Sequence, residues 1–159
     1  MERIDRILKN PLYRELQKQL DELEKERIYC KHGADHALDT ARIMYIQVLE
    51  QHLPFDKELV YAAALLHDLG RCREYQHKEP HNEAGAAIAE EILPECGFAK
   101  AETELIVKAI RRHRENGERT EGFSELLYEA DKLSRTCWQC EAAGTCKWAD
   151  GKKNHTILD

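Results

Sequence analysis

The stretch Lys57-Glu58-Leu59-Val60-Tyr61-Ala62-Ala63-Ala64-Leu65-Leu66-His67-Asp68 decides the architecture. Leu59, Val60 and Ala62 through Leu66 cover nearly every face of a helix over residues 57–68, and a helix apolar all round belongs at the centre of a domain. That helix nevertheless closes on a histidine and an aspartate before Gly70 ends it. A buried carboxylate is costly unless it is paired or coordinates a metal, so the centre of the domain carries a chemical demand as well as a packing one.

Working outward, the remaining chain is also helical in pattern. Leu12, Leu16, Leu20 and Leu23 recur at helical spacing among Glu, Lys and Arg, with Asn10 as cap and Pro11 in the first turn. This leucine stripe either packs on the domain or forms a subunit contact, so an oligomer is possible. A second helix runs from about Ala34 to Gln51, before Pro54, and the central helix follows. A polar loop then leads from Gly70 to His81. Asn82 caps a fourth helix with the stripe Ala84, Ala87, Ile88, Glu91 and Ile92, interrupted at Pro94. A fifth, from about Lys100 to Arg114, aligns Leu105, Ile106, Ala109, Ile110 and His113. A sixth, from about Ser124 to Arg135, aligns Leu127, Ala130, Asp131 and Ser134. No window alternates with the period of two that a strand requires.

The reading is an all-α protein with a single domain of about six helices: an N-terminal helix over 1–27 packing on a helical domain over 28–135, followed by an irregular Cys-rich extension over 136–159. Composition agrees. The 159 residues suit one domain, and eight glycines with four prolines fall well below the roughly 12 per cent typical of globular chains, which disfavours a turn-rich β-sandwich. With 24 Lys and Arg against 30 Asp and Glu, the net charge of −6 argues against general nucleic-acid binding. The charged start and the short apolar run Tyr61–Leu66, against the ~18 residues of a membrane span, imply a cytoplasmic protein with no membrane partner. In a reducing cytosol the six cysteines suit free thiols or metal ligands better than disulfides.

His113 and Asp131 interrupt the apolar stripes of their helices, His67 and Asp68 end the most apolar helix, and His36 shares a face with Thr40 and Ile43. Any one of these could be a satisfied core polar group. Several converging in one small helical domain point to a metal site, for which imidazole with carboxylate suits divalent iron, manganese, nickel or zinc.

His36, the run Leu65-Leu66-His67-Asp68-Leu69-Gly70-Arg71, and Glu129-Ala130-Asp131-Lys132-Leu133 together resemble the HD-domain phosphohydrolase superfamily over roughly residues 28 to 135. The resemblance implies an all-α fold in which His36, His67, Asp68 and Asp131 bind a first metal. His81, in His-Asn-Glu-Ala-Gly, and His113 are similar to the two extra histidines of binuclear members, where the carboxylate of Asp68 would bridge two ions. The order of ligands is similar to that of enzymes that hydrolyse dinucleoside tetraphosphates. His77, four residues before His81, is a rival ligand.

Such a ligand set implies a metal-dependent phosphohydrolase that cleaves a phosphoester or phosphoanhydride, with a metal-bound hydroxide as nucleophile. A nucleotide is the substrate class of choice. Asp68 and Arg71 would be catalytic, and Arg71, Lys132, Arg135 and Arg112 would hold substrate phosphate. Arg112, with its neighbours Arg111 and Arg114, could equally form a solvated face near a helix C-terminus. Two other classes fit the ligands: a non-catalytic module that senses metal or nucleotide, and a di-iron oxygenase, although a basic rim speaks for hydrolysis.

Cys137-x-x-Cys140 with Cys146 has the two-residue gap of zinc knuckles. Cys30 would complete a structural zinc site, as would His155 or a cysteine of another subunit. The alternatives are three free thiols in a tail anchored by Trp138 and Trp148, or a redox pair. Cys72 and Cys96 stand as isolated thiols, and His32, His52, His77 and His155 need no special role.

Overall fold

The computed structural model describes residues 1–113 and 122–157. Among these residues all regular structure is helical: α1 (Glu2–Lys9), α2 (Pro11–Leu23), α3 (Ala34–Glu50), α4 (Lys57–Leu66), α5 (Arg71–His77), α6 (His81–Glu95), α7 (Lys100–Arg112) and α8 (Phe123–Leu133), then three single turns of 3-10 helix. No helix is long and apolar enough to cross a membrane among the described residues.

Local chemistry sets the boundaries. The Asn10 side chain accepts hydrogen bonds from the backbone N–H groups of Leu12 and Tyr13, and Pro11 occupies the first turn of α2, where its missing N–H costs nothing. Leu16 and Leu20 are buried whereas Leu23 is exposed, so the α2 stripe is consumed by the domain's own core. Asp56 caps α4. All seven aliphatic residues from Leu59 to Leu66 are buried, with Tyr61 half-buried between them, and α4 packs against α1, α3, α6, α7 and α8.

Two helices exceed the six expected. α1 has a minimal apolar signal, Ile4 and Ile7, both buried. Its Arg3 donates from Nε to Glu58 at 2.6 Å and from Nη1 to Glu102 at 2.8 Å, and lies 4.3 Å over the Phe98 ring, tying α1 to α4 and α7. α5 replaces the expected loop after Gly70: Arg71–His77 contains no helix breaker, and its Cys72 is buried against α2, where the thiol approaches the Leu16 carbonyl at 3.2 Å.

Three details of α6 also differ. It starts at His81 after Pro80, and Asn82 donates to the Arg111 carbonyl at 2.8 Å instead of capping. Pro94 lies inside its last turn, where one lost N–H is tolerated. Ala87 and Glu91 are exposed, since Ala84, Gly85, Ile88, Ala89 and Ile92 form the buried face. α7 is described only to Arg112, and Arg114 lies outside the described residues.

One close approach joins the two halves of the domain. A Cβ at Gly70 would lie 2.1 Å from the His81 carbonyl oxygen and 2.4 Å from the Gly85 nitrogen, and a Cβ at Gly85 would lie 3.1 Å from the His67 carbonyl oxygen. The turn after α4 therefore sits directly on the start of α6. Gly70→Ala would force backbone against backbone, and we expect it to destabilise the fold by at least the ~3 kcal/mol at the upper end of overpacking costs. Chemical denaturation measures this, and a loss under 1 kcal/mol would contradict so tight a contact.

Candidate metal centre

Five helix ends bring the functional side chains together. His36 sits in the first turn of α3, His67 caps the C-terminus of α4 with Asp68 next to it, His81 opens α6, His113 follows α7, and Asp131 lies in the last turn of α8. Two donor groups result: His36, His67, Asp68 and Asp131 in one, and Asp68, His81 and His113 in the other, with the ligand atoms of each within 4.8 Å of one another. Asp68 belongs to both. Its Oδ2 lies 3.1 Å from His67 Nε2 and 3.5 Å from His36 Nε2, and its Oδ1 lies 3.7 and 3.8 Å from the Nε2 atoms of His81 and His113.

Each histidine is oriented through its other nitrogen. His67 Nδ1 donates to the Ala64 carbonyl at 2.7 Å, His113 Nδ1 to the Ile110 carbonyl at 2.5 Å, and His81 Nδ1 to Glu74 at 2.9 Å. Ser134 Oγ donates to the Asp131 carbonyl, which leaves it to accept from His36 Nδ1 at 3.2 Å. All four imidazoles thus turn Nε2 inward, the arrangement by which metal-binding histidines are fixed. His81 Nε2 and His113 Nε2 face each other at 3.2 Å. Two lone pairs at that distance repel unless a proton or a cation lies between them.

The centre is also unsatisfied. His36 Nε2, His67 Nε2 and Asp68 Oδ2 are buried atoms without a hydrogen-bond partner. Orphaned buried polar atoms carry a desolvation cost of ~1–3 kcal/mol each, and three at one point are explained together by a shared cation. Burial alone would lower the His36 pKa, but the flanking Asp131 and Asp68 carboxylates outweigh it and push the group up to about 9. Burial would raise Asp68, yet His67, Arg71 and His32 hold it well below the usual carboxylate range. His81 is pushed down to about 4 by burial and the Arg71 charge, which keeps its lone pair available at neutral pH. The donor set fits divalent transition metals; it does not select among iron, manganese, nickel and zinc.

Above the centre lies a cavity of about 700 Å³, lined by His36, His81, His113, Arg71, Asp131, Lys132 and Arg135. Of the residues expected to hold phosphate, Arg71 donates from Nε to Asp68 Oδ1 at 2.8 Å, Lys132 contacts Asp131, and Arg135 stacks over Trp148 at 4.2 Å. Arg112 is not among the residues that line this cavity. Arg111 pairs instead with Glu83 and Glu90. His77, the rival to His81, is exposed at the end of α5.

Several participants carried too little sequence signal to be singled out. His32 lines the cavity, contrary to the expectation that it has no special role, and its Nδ1 lies 2.6 Å from Glu24. Its spacing of four from His36 was the available clue. Glu24 is 2% exposed and accepts from the His32 backbone N–H at 2.6 Å and from the Tyr75 hydroxyl at 2.5 Å. Ser134, which orients His36, was aligned with Asp131 on the sixth helix but given no role, and Glu74, which orients His81, had no signal, because a hydrogen bond of this kind leaves no trace in periodicity.

A family model for the HD domain matches residues 33–150. The chain belongs to the HD domain family. An uncharacterized protein of Clostridium beijerinckii is 40% identical over 157 residues, which is 99% of each chain. Ribonuclease Y of Enterococcus faecalis is 29% identical over 123 residues, 77% of this chain but 22% of that protein, so this HD domain chain spans about a fifth of its length. A bifunctional uridylyltransferase/uridylyl-removing enzyme of Rhodopseudomonas palustris is 34% identical over 67 residues, 42% of this chain and 7% of that one. The crystal structure of a predicted HD superfamily hydrolase from an uncultured Thermotogales bacterium matches with a TM-score of 0.64 and 25% identity, covering 88% of this chain and 80% of that one.

If Asp68 is shared, Asp68→Ala will abolish binding of both metals, whereas His113→Ala will keep the first and weaken the second. Titration calorimetry with elemental analysis measures this, and equal metal content in wild type and Asp68→Ala would refute the shared carboxylate. A separate expectation concerns Glu24. Burial would raise its pKa, but hydrogen bonds from His32 and Tyr75 hold it down at about 2. The stability it contributes is therefore complete above the ordinary carboxylate range and lost as pH falls toward about 2. Glu24→Gln should cost ~1.5–3 kcal/mol at neutral pH, and should flatten the acid limb of a stability profile. An unchanged acid limb would show that Glu24 is not the group responsible.

Proposed function

We propose that this protein is a metal-dependent phosphohydrolase that cleaves a phosphoester or phosphoanhydride bond of a nucleotide. The observation that carries the reading is the sharing of Asp68 between two donor groups at the floor of a cation-walled cavity. Divalent ions held there supply a hydroxide nucleophile at neutral pH and a Lewis-acid clamp on a phosphoryl oxygen. His36, His67, Asp68 and Asp131 would hold the first, and Asp68, His81 and His113 the second.

The protein's own groups supply position and charge. Arg71, anchored through Nε to Asp68 and with Nη1 3.7 Å from Glu74, lines the cavity, where its guanidinium can donate to a phosphoryl oxygen as negative charge develops. Lys132 and Arg135 extend the cationic wall, joined by Arg27 and Lys147. Tyr29, Tyr128 and Trp148 also line the cavity and offer faces on which a base can stack. A volume of about 700 Å³ suits a ligand of nucleotide size. Two relatives support the nucleotide class: a ribonuclease by its name acts on RNA, and a uridylyl-removing enzyme by its name acts on a nucleotidyl group.

The test is phosphate or nucleotide release from a panel of mononucleotides, dinucleoside polyphosphates and short oligonucleotides, with manganese, ferrous iron, nickel or zinc added. Turnover by wild type and none by Asp68→Ala is the expected result. Arg135→Ala should lower kcat/KM tenfold to a hundredfold, the equivalent of one charge-assisted hydrogen bond at ~1.5–3 kcal/mol. Tight nucleotide binding without turnover under any metal would overturn the enzymatic reading in favour of a sensing role.

A further inference from the structure

The C-terminal segment from Thr136 to Ile157 holds its place without a hydrophobic core. It adds no residue to the apolar cluster that joins α1 through α8, and its one buried side chain is Asn154. Trp138 is 46% exposed. Three isolated 3-10 turns have little intrinsic stability, and segments that cannot bury apolar surface are ordinarily held by cross-links, either disulfides or metal ions.

This segment carries three of the six cysteines and is docked beside a fourth. Cys137 and Cys140 flank a tight turn, closed by the Cys140 N–H donating to the Cys137 carbonyl at 3.2 Å. On the facing segment, the Tyr29 hydroxyl approaches the Thr145 carbonyl at 3.3 Å and its Oγ1 at 3.4 Å, so the chain neighbours of Cys30 and Cys146 meet. Cys30 and Cys146 both line the cavity. All four are free and half-buried. Burial raises the Cys30 thiol pKa, Arg135 lowers it, and Cys137, Cys140 and Cys146 all lie near enough to raise it further. His155, the other candidate fourth ligand, is exposed and turned toward Asp150.

We propose that Cys30, Cys137, Cys140 and Cys146 form a tetrathiolate metal centre that staples the C-terminal segment to the loop before α3. Four thiolates from two segments suit thiophilic metals, either one zinc ion at about 2.3 Å from each sulfur or an iron–sulfur cluster that gives each thiolate its own iron. No three of the four sulfurs lie within 4.8 Å of one another, so binding an ion requires the side chains of the two segments to close around it. Arg135 and Arg27, which donates from Nε to the Cys30 carbonyl at 2.8 Å, supply compensating positive charge. The centre would also complete the cavity, since Cys146 precedes Lys147 and Trp148 in its wall. It is separate from the His/Asp centre and does not depend on the hydrolytic reading.

Protein purified without oxygen should contain a thiol-dependent metal that persists in Asp68→Ala and is lost in each of Cys30→Ser, Cys137→Ser, Cys140→Ser and Cys146→Ser, but retained in Cys96→Ala. Zinc without acid-labile sulfide identifies a single ion; iron with equimolar sulfide and visible absorption identifies a cluster. Should the serine variants not fold, the wild type still decides the matter. The four half-buried thiols, Cys30, Cys137, Cys140 and Cys146, should resist an aromatic disulfide reagent until a chelator releases the metal without unfolding the protein, whereas Cys72 and Cys96 are shielded by burial in either case, and release should expose the segment after Thr136 to protease. Reaction of all the accessible thiols without metal release, or a mass showing disulfides among these four, would overturn the proposal.

Discussion

A carboxylate buried among four imidazoles is the constraint around which this molecule is arranged. Asp68 is 4% exposed, at the end of a helix with no polar face, where an unpaired charge would not be tolerated. Its two oxygens face opposite groups of partners, Oδ2 toward His36 and His67, Oδ1 toward Arg71, His81 and His113. The Asp131 and Asp68 carboxylates outweigh the cost of burial and favour the charged form of His36. The arrangement of helix ends follows the same logic. α4, α7 and α8 bring their C-terminal ends, which carry partial negative charge, to a point suited to cations, whereas α3 and α6 bring N-terminal ends suited to an anion such as phosphate.

The negative net charge of the chain is no obstacle to an anionic substrate, because the distribution is uneven. Arg27, Arg71, Lys132, Arg135 and Lys147 line one cavity, while many carboxylates lie on outer helix faces or pair there, as Glu2 does with Arg6 and Glu83 with Arg111. Within a partly desolvated cavity a few cations outweigh a more distant excess of acid, since screening over a Debye length of about 8 Å at physiological salt removes most of the far-side contribution.

Elements with an apolar period or a cap were legible in the sequence. Asn10 and Pro11 marked the start of α2, and the apolar run from Leu59 to Leu66 marked the central helix, because burial on all sides leaves a composition that nothing else explains. His36, His67, Asp68, His113 and Asp131 were legible as polar residues on faces that should be apolar, and His81 through its place in a family pattern. α5 was not, since its fixation comes from Cys72 and Tyr75 meeting α2 and Glu24, contacts more than fifty residues apart in the chain. The same holds for His32, whose significance lies in the buried Glu24 behind it. Arg112 is adjacent to His113 in sequence but is not among the residues that line the cavity.

The C-terminal segment matters to the centre through α8. Asn154 points its amide nitrogen at the carbonyls of Lys132, Leu133 and Arg135, at 2.9, 3.0 and 2.9 Å, satisfying the acceptors that a helix leaves bare at its end. That end carries Asp131 and Ser134, and Ser134 fixes the ring of His36 across the site. One half-buried segment therefore closes the helix end that supplies one candidate ligand, Asp131, and orients another, His36. A change in the segment's docking would be felt at His36 and Asp131 before it reached His81 or His113, which are oriented independently by Glu74 and the Ile110 carbonyl. The two donor groups thus share Asp68 but have separate supports, and the group nearer the C-terminal segment is the one whose geometry that segment can modulate.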